Sequence, residues 1–348
     1  MNYRLTQFSE GAGCGCKIAP KELETILQCE PSIHFAGLLV GNESHDDAAV
    51  YDIGNGQAIV STTDFFTPIV DDARDFGRIA ATNAISDVYA MGGSPLMAIS
   101  ILGWSLDKLP AELAREVVSG AREVCTSAKI PLAGGHSVNI STPIFGLAVT
   151  GMMRSEQVKK NCTARAGCKV FLTKPLGIGL ITTAGKFGMV KSEDTAEAVR
   201  LMTTLNVAGS DFAQLSGVCA MTDVTGFGLL GHALEMAEGS GVQMVLEYSK
   251  LPRLAGVDSY IAQGCMPGGT GRNWNSYGHK VIIDVAGEDK EKVKALVCDP
   301  QTSGGLLVAV EPNAVEDLHR VAQKTNTPLF EIGYVEEPQK SEVWVRVV

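Results

Sequence analysis

The stretch "RSEQVKKNCTARAG" at residues 154–167 is polar and basic, and it separates apolar "PIFGLAVTGMM" (143–153) from apolar "CKVFLTKPLGIG" (168–179). A composition break of this kind marks a domain boundary. Upstream, "GQAIVSTTDFF" (56–66) reads as a buried strand with Asp64 near its end, and "DFGRIAATNAISDVYAMGG" (75–93) spaces Phe76, Ile79, Ala80, Ala84, Val88 and Met91 as a helix does. Strands over 95–104 and 130–138, a helix over 110–128 and the apolar run over 143–153 complete this unit. Downstream, strand patterns at 168–173, 218–223, 241–247, 280–285, 304–310 and 328–334 mix with helical patterns at 193–215, 227–238, 288–297 and 313–324. Neither half alternates strictly, so two α+β domains are expected, over 47–156 and 157–348. A flexible glycine-rich segment over 1–46 precedes them, with a short helix over 21–28. A chain of 348 residues is long enough for both cores.

Composition narrows the function classes. A hydrophobic content of 45% with 20% charged residues fits a globular chain, and a net charge of −10 argues against nucleic acid or an anionic membrane as direct partner. No apolar run reaches the length of a membrane span, and "MNYRLTQFSEGAG" lacks the features of a secretory leader, so a cytoplasmic protein is expected. The nine scattered cysteines are then expected to be reduced. An anionic ligand on so acidic a chain requires metal ions as mediators.

Two nucleotide motifs are decoys or near-decoys. "GIGLITTAGKFG" contains Gly185-Lys186, but Leu180 and Phe187 break the P-loop pattern. "DVTGFGLLGH" satisfies G-x-G-x-x-G with Gly226, Gly228 and Gly231, and Glu247 follows at a dinucleotide-like distance. Its alternative is a tight strand-to-helix turn, and Asp223 just upstream would repel a pyrophosphate unless a cation intervened.

Asp46, Asp47, Asp64, Asp87, Asp223 and Asp299 mostly stand at the ends of apolar segments. Individually each reads as a cap or turn residue, Asp299 before Pro300 most of all. Collectively they suit Mg²⁺ carrying a polyphosphate, with glycine turns such as "AGGHS" (133–137) donating backbone N–H groups. "GAGCGCK" (11–17) reads as a mobile loop. Cys14 and Cys16 lack the second pair that structural zinc needs, whereas Lys17 could favour a thiolate or hold a phosphate. An untethered terminus with incidental cysteines is the bland alternative.

"GAGCGCK", "DDAAVYD", "STTDFF", "ATNAISDVYAMGG", "LAGGHS", "TKPLGIG", "MTDVTGFGLLGH", "PGGTGRN" and "DPQTSGGLL" occur in an order that resembles the selenophosphate synthetases over nearly the whole chain. The resemblance implies the two-domain α+β fold of the aminoimidazole ribonucleotide synthetase superfamily and a homodimer formed through the N-terminal domain. It implies conversion of ATP, selenide and water to selenophosphate, phosphate and AMP, with Mg²⁺ and usually K⁺, to supply selenocysteine and selenium-modified tRNA. Partners would include selenide-delivering and selenophosphate-using enzymes. Cys14 and Lys17 resemble the catalytic pair. Asp47, Asp87 and Asp223 resemble the Mg²⁺ ligands, and Lys17, Ser44, His45, Asp46, Asp64, Asp87, Gly135, His136 and Ser137 resemble the ATP contacts. Cys16 has no equally firm role. The rival readings are another small-molecule kinase of the same fold, a dinucleotide-dependent oxidoreductase and a non-catalytic metal-binding module.

Overall fold

Alternation along strand 57–66 buries Ala58, Val60, Thr62, Asp64 and Phe66 and turns the residues between them outward. The strand belongs to a computed structural model that describes residues 3–8, 11, 13–18, 25–26, 35–42, 46–339 and 342–348. The expected helix over 21–28 lies outside the described residues apart from Thr25 and Ile26, which are helical. Ser44 and His45 also lie outside them.

The first sheet has six strands: β1 (Leu38–Val40), β2 (Ala49–Gly54), β3 (Gln57–Phe66), β4 (Ser94–Trp104), β5 (Leu132–Asn139) and β6 (Ile144–Arg154), in the order β1-β2-β3-β6-β4-β5. All pairings are antiparallel except β4 with β5, which is parallel. Between β3 and β4 runs α1 (Ala73–Ala90), and between β4 and β5 runs α2 (Ala111–Ser127). Asp72 caps α1 by accepting from Asp75 N at 2.8 Å. Every α1 residue except Arg74, Asp75 and Arg78 is buried, because the helix lies between the first sheet and the second domain. Gly77 and Gly120 let α1 and α2 touch backbone to backbone: an added Cβ would stand 1.8 Å from Val117 O and 2.0 Å from Arg74 O respectively. Phe76 fills the core between the rings of Phe66 and Phe145, with centroids at 6.1 and 6.3 Å. Its truncation to alanine would cost about 3–5 kcal/mol.

The second sheet comprises β7 (Lys169–Leu172), β8 (Val218–Asp223), β9 (Gln243–Leu246), β10 (Val281–Ile283), β11 (Leu306–Val310), β12 (Phe330–Glu336) and β13 (Val345–Val347). Its order is β10-β13-β9-β12-β7-β11-β8, with β13 parallel to both neighbours and the other pairs antiparallel. Helices α3 (Ile178–Lys186), α4 (Ser192–Met202), α5 (Ala208–Phe212), α6 (Gly228–Ser240), α7 (Val257–Ala262), α8 (Gly268–Tyr277), α9 (Lys290–Val297) and α10 (Val315–Lys324) connect and cover it.

Most expected elements are present. The helix expected over 193–215 is two helices, α4 and α5, because the intervening loop sends Asn206 inward to donate to Ser86 Oγ on α1 at 2.7 Å and Gly304 O at 2.9 Å. The sequence pattern also misses β1, β2, β13, α3, α7 and α8, all short elements or weakly periodic ones. Among the described residues no helix is long and apolar enough to cross a membrane.

Candidate active site

Four aspartates from both domains converge where α1 meets β8. Asp64 is delivered by the inward register of β3, Asp87 by the helix face of α1, Asp223 by the end of β8 and Asp47 by the approach to β2. Thr62 Oγ1 donates to Asp87 Oδ2 at 2.5 Å, and Thr222 Oγ1 donates to Asp47 Oδ1 at 2.8 Å. The remaining oxygens Asp47 Oδ2 and Asp223 Oδ2 are buried without a hydrogen-bond partner. Burial, then the charges of Asp223 and Asp87, pushes the Asp47 carboxyl well above its usual range. Asp87 is raised by burial and then by Asp223 and Asp64, and burial also raises Asp223 against the opposing pull of Ser86, His232 and Lys17. Among the described residues no three His, Cys, Asp or Glu side chains are drawn together tightly enough to hold an ion as they stand. The two orphaned oxygens and the mutual repulsion are nevertheless what oxygen-ligating Mg²⁺ would relieve, so the donor set fits that metal.

The "GCGC" stretch, expected as a mobile loop, forms a 3₁₀ turn over Gly13–Cys16 docked against this centre. Gly13 N donates to Thr67 O at 3.1 Å and Cys14 N to Thr302 Oγ1 at 3.1 Å. Cys14 is only 1% exposed, and its Sγ donates to Asn83 Oδ1 at 3.2 Å. The same Asn83 oxygen accepts from Ser303 N at 2.7 Å, while Asn83 Nδ2 donates to Asp64 Oδ2 at 2.6 Å. Lys17 Nζ lies 3.4 Å from Asp64 Oδ2 and keeps 39% of its side chain exposed. Asp64 raises the Lys17 ammonium well above its usual value against the opposing effect of partial desolvation, with Cys14, Asp87 and Asp223 adding to the rise. Cys14, Lys17, Asp64, Asp87 and Asp223 therefore form one electrostatic unit.

The "GFG" turn serves this turn rather than a dinucleotide. A Cβ on Gly226 would stand 2.6 Å from Cys14 O, so only glycine lets the cysteine turn sit there. The structure thus has the strand-to-helix turn, with β8 ending at Asp223 and α6 starting at Gly228.

Other expected residues stand at its margin or outside it. Asp46 Oδ1 accepts from Asn161 N at 2.7 Å, tying the β2 approach to the interdomain segment. Gly135, His136 and Ser137 are on exposed edge strand β5. Asp64 pairs with Leu147, Leu147 with Ser100 and Ser100 with Gly135, so this row places Gly135 three strand spacings, about 14 Å, from Asp64. The structure does not bring these three residues into the aspartate cluster of the same chain.

Asp299 is indeed a cap, across a long sequence separation. It is fully buried, and its Oδ2 accepts from Gly179 N at 3.0 Å, at the start of α3, and from Gln301 Nε2 at 2.8 Å. Burial raises its carboxyl to about 8.

Residues without an expected role complete the site. Asn83, Thr62, Thr222, Thr302 and Ser303 hold its carboxylates and thiol in place. Lys174, buried and lowered to about 7 by that burial, donates to Thr204 O at 2.7 Å and Ser303 O at 2.8 Å. The available sequence signal was their position inside "STTDFF", "ATNAISD", "TKPLGIG", "MTDVTGFG" and "DPQTSGG", which identified segments without separating their side-chain roles.

Residues 45–153 match the family described as AIR synthase related protein, N-terminal domain, and residues 165–346 match its C-terminal domain. Selenide, water dikinase of Yersinia pseudotuberculosis is 58% identical over 346 residues, covering 99% of this chain and 98% of the relative. Thiamine-monophosphate kinase from Stenotrophomonas maltophilia K279a has the same fold at a TM-score of 0.64 and 18% identity, covering 94% of this chain and 93% of that one. The hydrogenase maturation protein HypE in complex with ATP aligns at a TM-score of 0.60 and 17% identity, covering 84% of this chain and 80% of that one.

Proposed function

The chain belongs to the selenide, water dikinase family, and we propose that its interdomain centre performs this family's reaction: ATP, selenide and water yield selenophosphate, phosphate and AMP. The observation that carries the reading is the docking of Cys14 and Lys17 onto a centre built from aspartates of both domains. A dinucleotide reading leaves the thiol and the carboxylates without a task. Another kinase of this fold leaves the thiol without one.

Asp47, Asp87 and Asp223 would hold Mg²⁺, which when bound neutralises triphosphate charge and favours in-line attack at phosphorus. Lys17, positioned by Asp64, binds phosphate oxygens. Cys14, held by Asn83 and Thr302, presents a soft sulfur to a soft chalcogenide. The docked turn shields the reacting atoms from water, and its glycines allow it to lift for exchange of substrate and product.

A homodimer through the first sheet is part of this reading. The outward face of that sheet exposes Tyr51, Phe65, Met97, Ile99 and Val138, an apolar face that a second copy would cover. His136 shares that face, so a second copy could bring nucleotide to Gly135, His136 and Ser137 from outside this chain's own cluster. Sedimentation should show a dimer, and Ile99→Asp should shift it towards monomer; an unchanged dimer would place the interface elsewhere.

Phosphorus NMR of ATP incubated with the protein tests the reaction itself. Selenophosphate, AMP and phosphate should appear together only when selenide is present, and Cys14→Ser should abolish the selenophosphate signal. ADP as the final nucleotide would refute the assignment.

A further inference from the structure

The "PGGTGRN" stretch (267–273) is left without a task by this reading, yet it abuts the cysteine turn. It forms Pro267 and the start of α8, and Arg272 NH2 donates to Gly15 O at 2.9 Å. Arg272 is exposed, and among the described residues no carboxylate lies within ion-pair distance of it. Between α8 and the turn is a small cavity of about 10 Å³, lined by Cys14, Lys17, Gly226, Phe227, Gly269 and Arg272. This is about the space of one water, so a larger anion fits only as the turn gives way. Asn273, next to Arg272, donates to Gly226 O at 3.0 Å and Cys298 O at 3.1 Å, which fixes α8 against the "GFG" turn.

We propose that this cavity is the entry subsite for the hydroselenide anion and that Arg272 is its recognition residue. The inference rests on the selenide reaction proposed above and adds the route by which the second substrate arrives. Hydroselenide is a monoanion at neutral pH, approaching a chain of net charge −10 whose centre holds four aspartates. Such a field repels it unless a cation stands at the point of entry. Lys17 is paired with Asp64 and is taken up by the phosphates of ATP in the reading above. Arg272 spends one N–H on Gly15 O, and its remaining donors are not claimed by any acid among the described residues. A guanidinium is also more weakly hydrated than an ammonium, which suits a large, soft anion bordered by Phe227 and glycine backbone. Cys14 forms the wall between this cavity and the aspartates: its backbone turn faces Arg272, while its Sγ is directed to Asn83. No bond is made at the subsite; the anion is held behind the cysteine turn and meets the thiol when that turn lifts.

The test compares alkylation of Cys14 by anionic iodoacetate and by neutral iodoacetamide, read on the Cys14 peptide by mass spectrometry. The ratio of the two rates cancels any opening of the turn, which both reagents share. In Arg272→Gln the iodoacetate-to-iodoacetamide ratio should fall by about tenfold. Arg272→Lys should retain part of it. In steady state, the KM for selenide should rise in Arg272→Gln while the KM for ATP stays unchanged. An unchanged alkylation ratio overturns the proposal, as does a parallel rise of both KM values, which would mark Arg272 as a support of the turn. If the ratio depends on Arg272 but no selenophosphate forms in the parent protein, the anion subsite stands and the assigned reaction fails.

Discussion

Asp223 and Asp299 are both buried carboxylates near the end of an apolar segment, both carry one oxygen without a hydrogen-bond partner, and burial raises both. Their surroundings differ. Asp223 interacts with Asp47, Asp87, Asp64 and Lys17, whereas Asp299 accepts bonds from the start of α3 and from Gln301. Burial and an elevated carboxyl therefore do not distinguish chemistry from architecture in this molecule. The distinction lies in the neighbours: like charges crowded together call for a cation, while a lone carboxyl beside backbone N–H groups organises a helix end.

The strongest test of this contrast is neutralisation of the clustered acids. Asp87→Asn and Asp223→Asn should each lower selenophosphate formation by roughly 10²–10³-fold, and Mg²⁺ should raise the thermal unfolding midpoint of the parent but not theirs. Full activity in either would remove that residue from the cation set. A smaller loss is expected from Gly226→Ala, whose Cβ collides with the Cys14 carbonyl at 2.6 Å. Displacing the cysteine turn by an ångström or so would cost up to about 10²-fold in rate. Circular dichroism should show a folded chain with the loss confined to kcat and Cys14 protection; normal kinetics would mean that the turn is not held by this contact.

The smallest catalytic effect belongs to Asp299→Asn, and here pH gives the readout. The folded carboxyl titrates at about 8 and the unfolded one near 3.8, so the native state holds a proton that the unfolded chain releases between those values. Its contribution to stability is thus retained at acid pH and declines as pH rises towards 8. The parent should lose stability over this window relative to Asp299→Asn, with the difference level above it. Urea unfolding at a series of pH values measures this, and parallel curves would show that Asp299 is ionised in both states.

The fold was legible wherever a long element carried a regular pattern. The alternation of β3 and the helical spacing of α1 identify the elements and the side of each that turns inward. The short strands β1 and β13 and the glycine-rich α8 carry too few apolar positions for a pattern to emerge. In the site, Cys14, Lys17, Asp47, Asp64, Asp87 and Asp223 stood out by residue type and motif, and the structure brings them together. Asn83 did not, although it connects thiol, carboxylate and the Ser303 turn, because a lone amide on a buried helix looks the same with or without such partners. Gly135, His136 and Ser137 were legible as a motif but not as an exposed edge, since the sheet order places β5 at the rim.

By itself the sequence determined the inward and outward faces of its long elements, the membership in a family and the residue types available for phosphate and selenium chemistry. Only the tertiary structure decided which of them meet. Cys14 reaches Thr302 across 288 residues of chain and Thr222 reaches Asp47 across 175, and these contacts join the two domains. Periodicity records the face on which a side chain leaves its own helix or strand. What stands opposite that face is set by how two separately built sheets pack around α1.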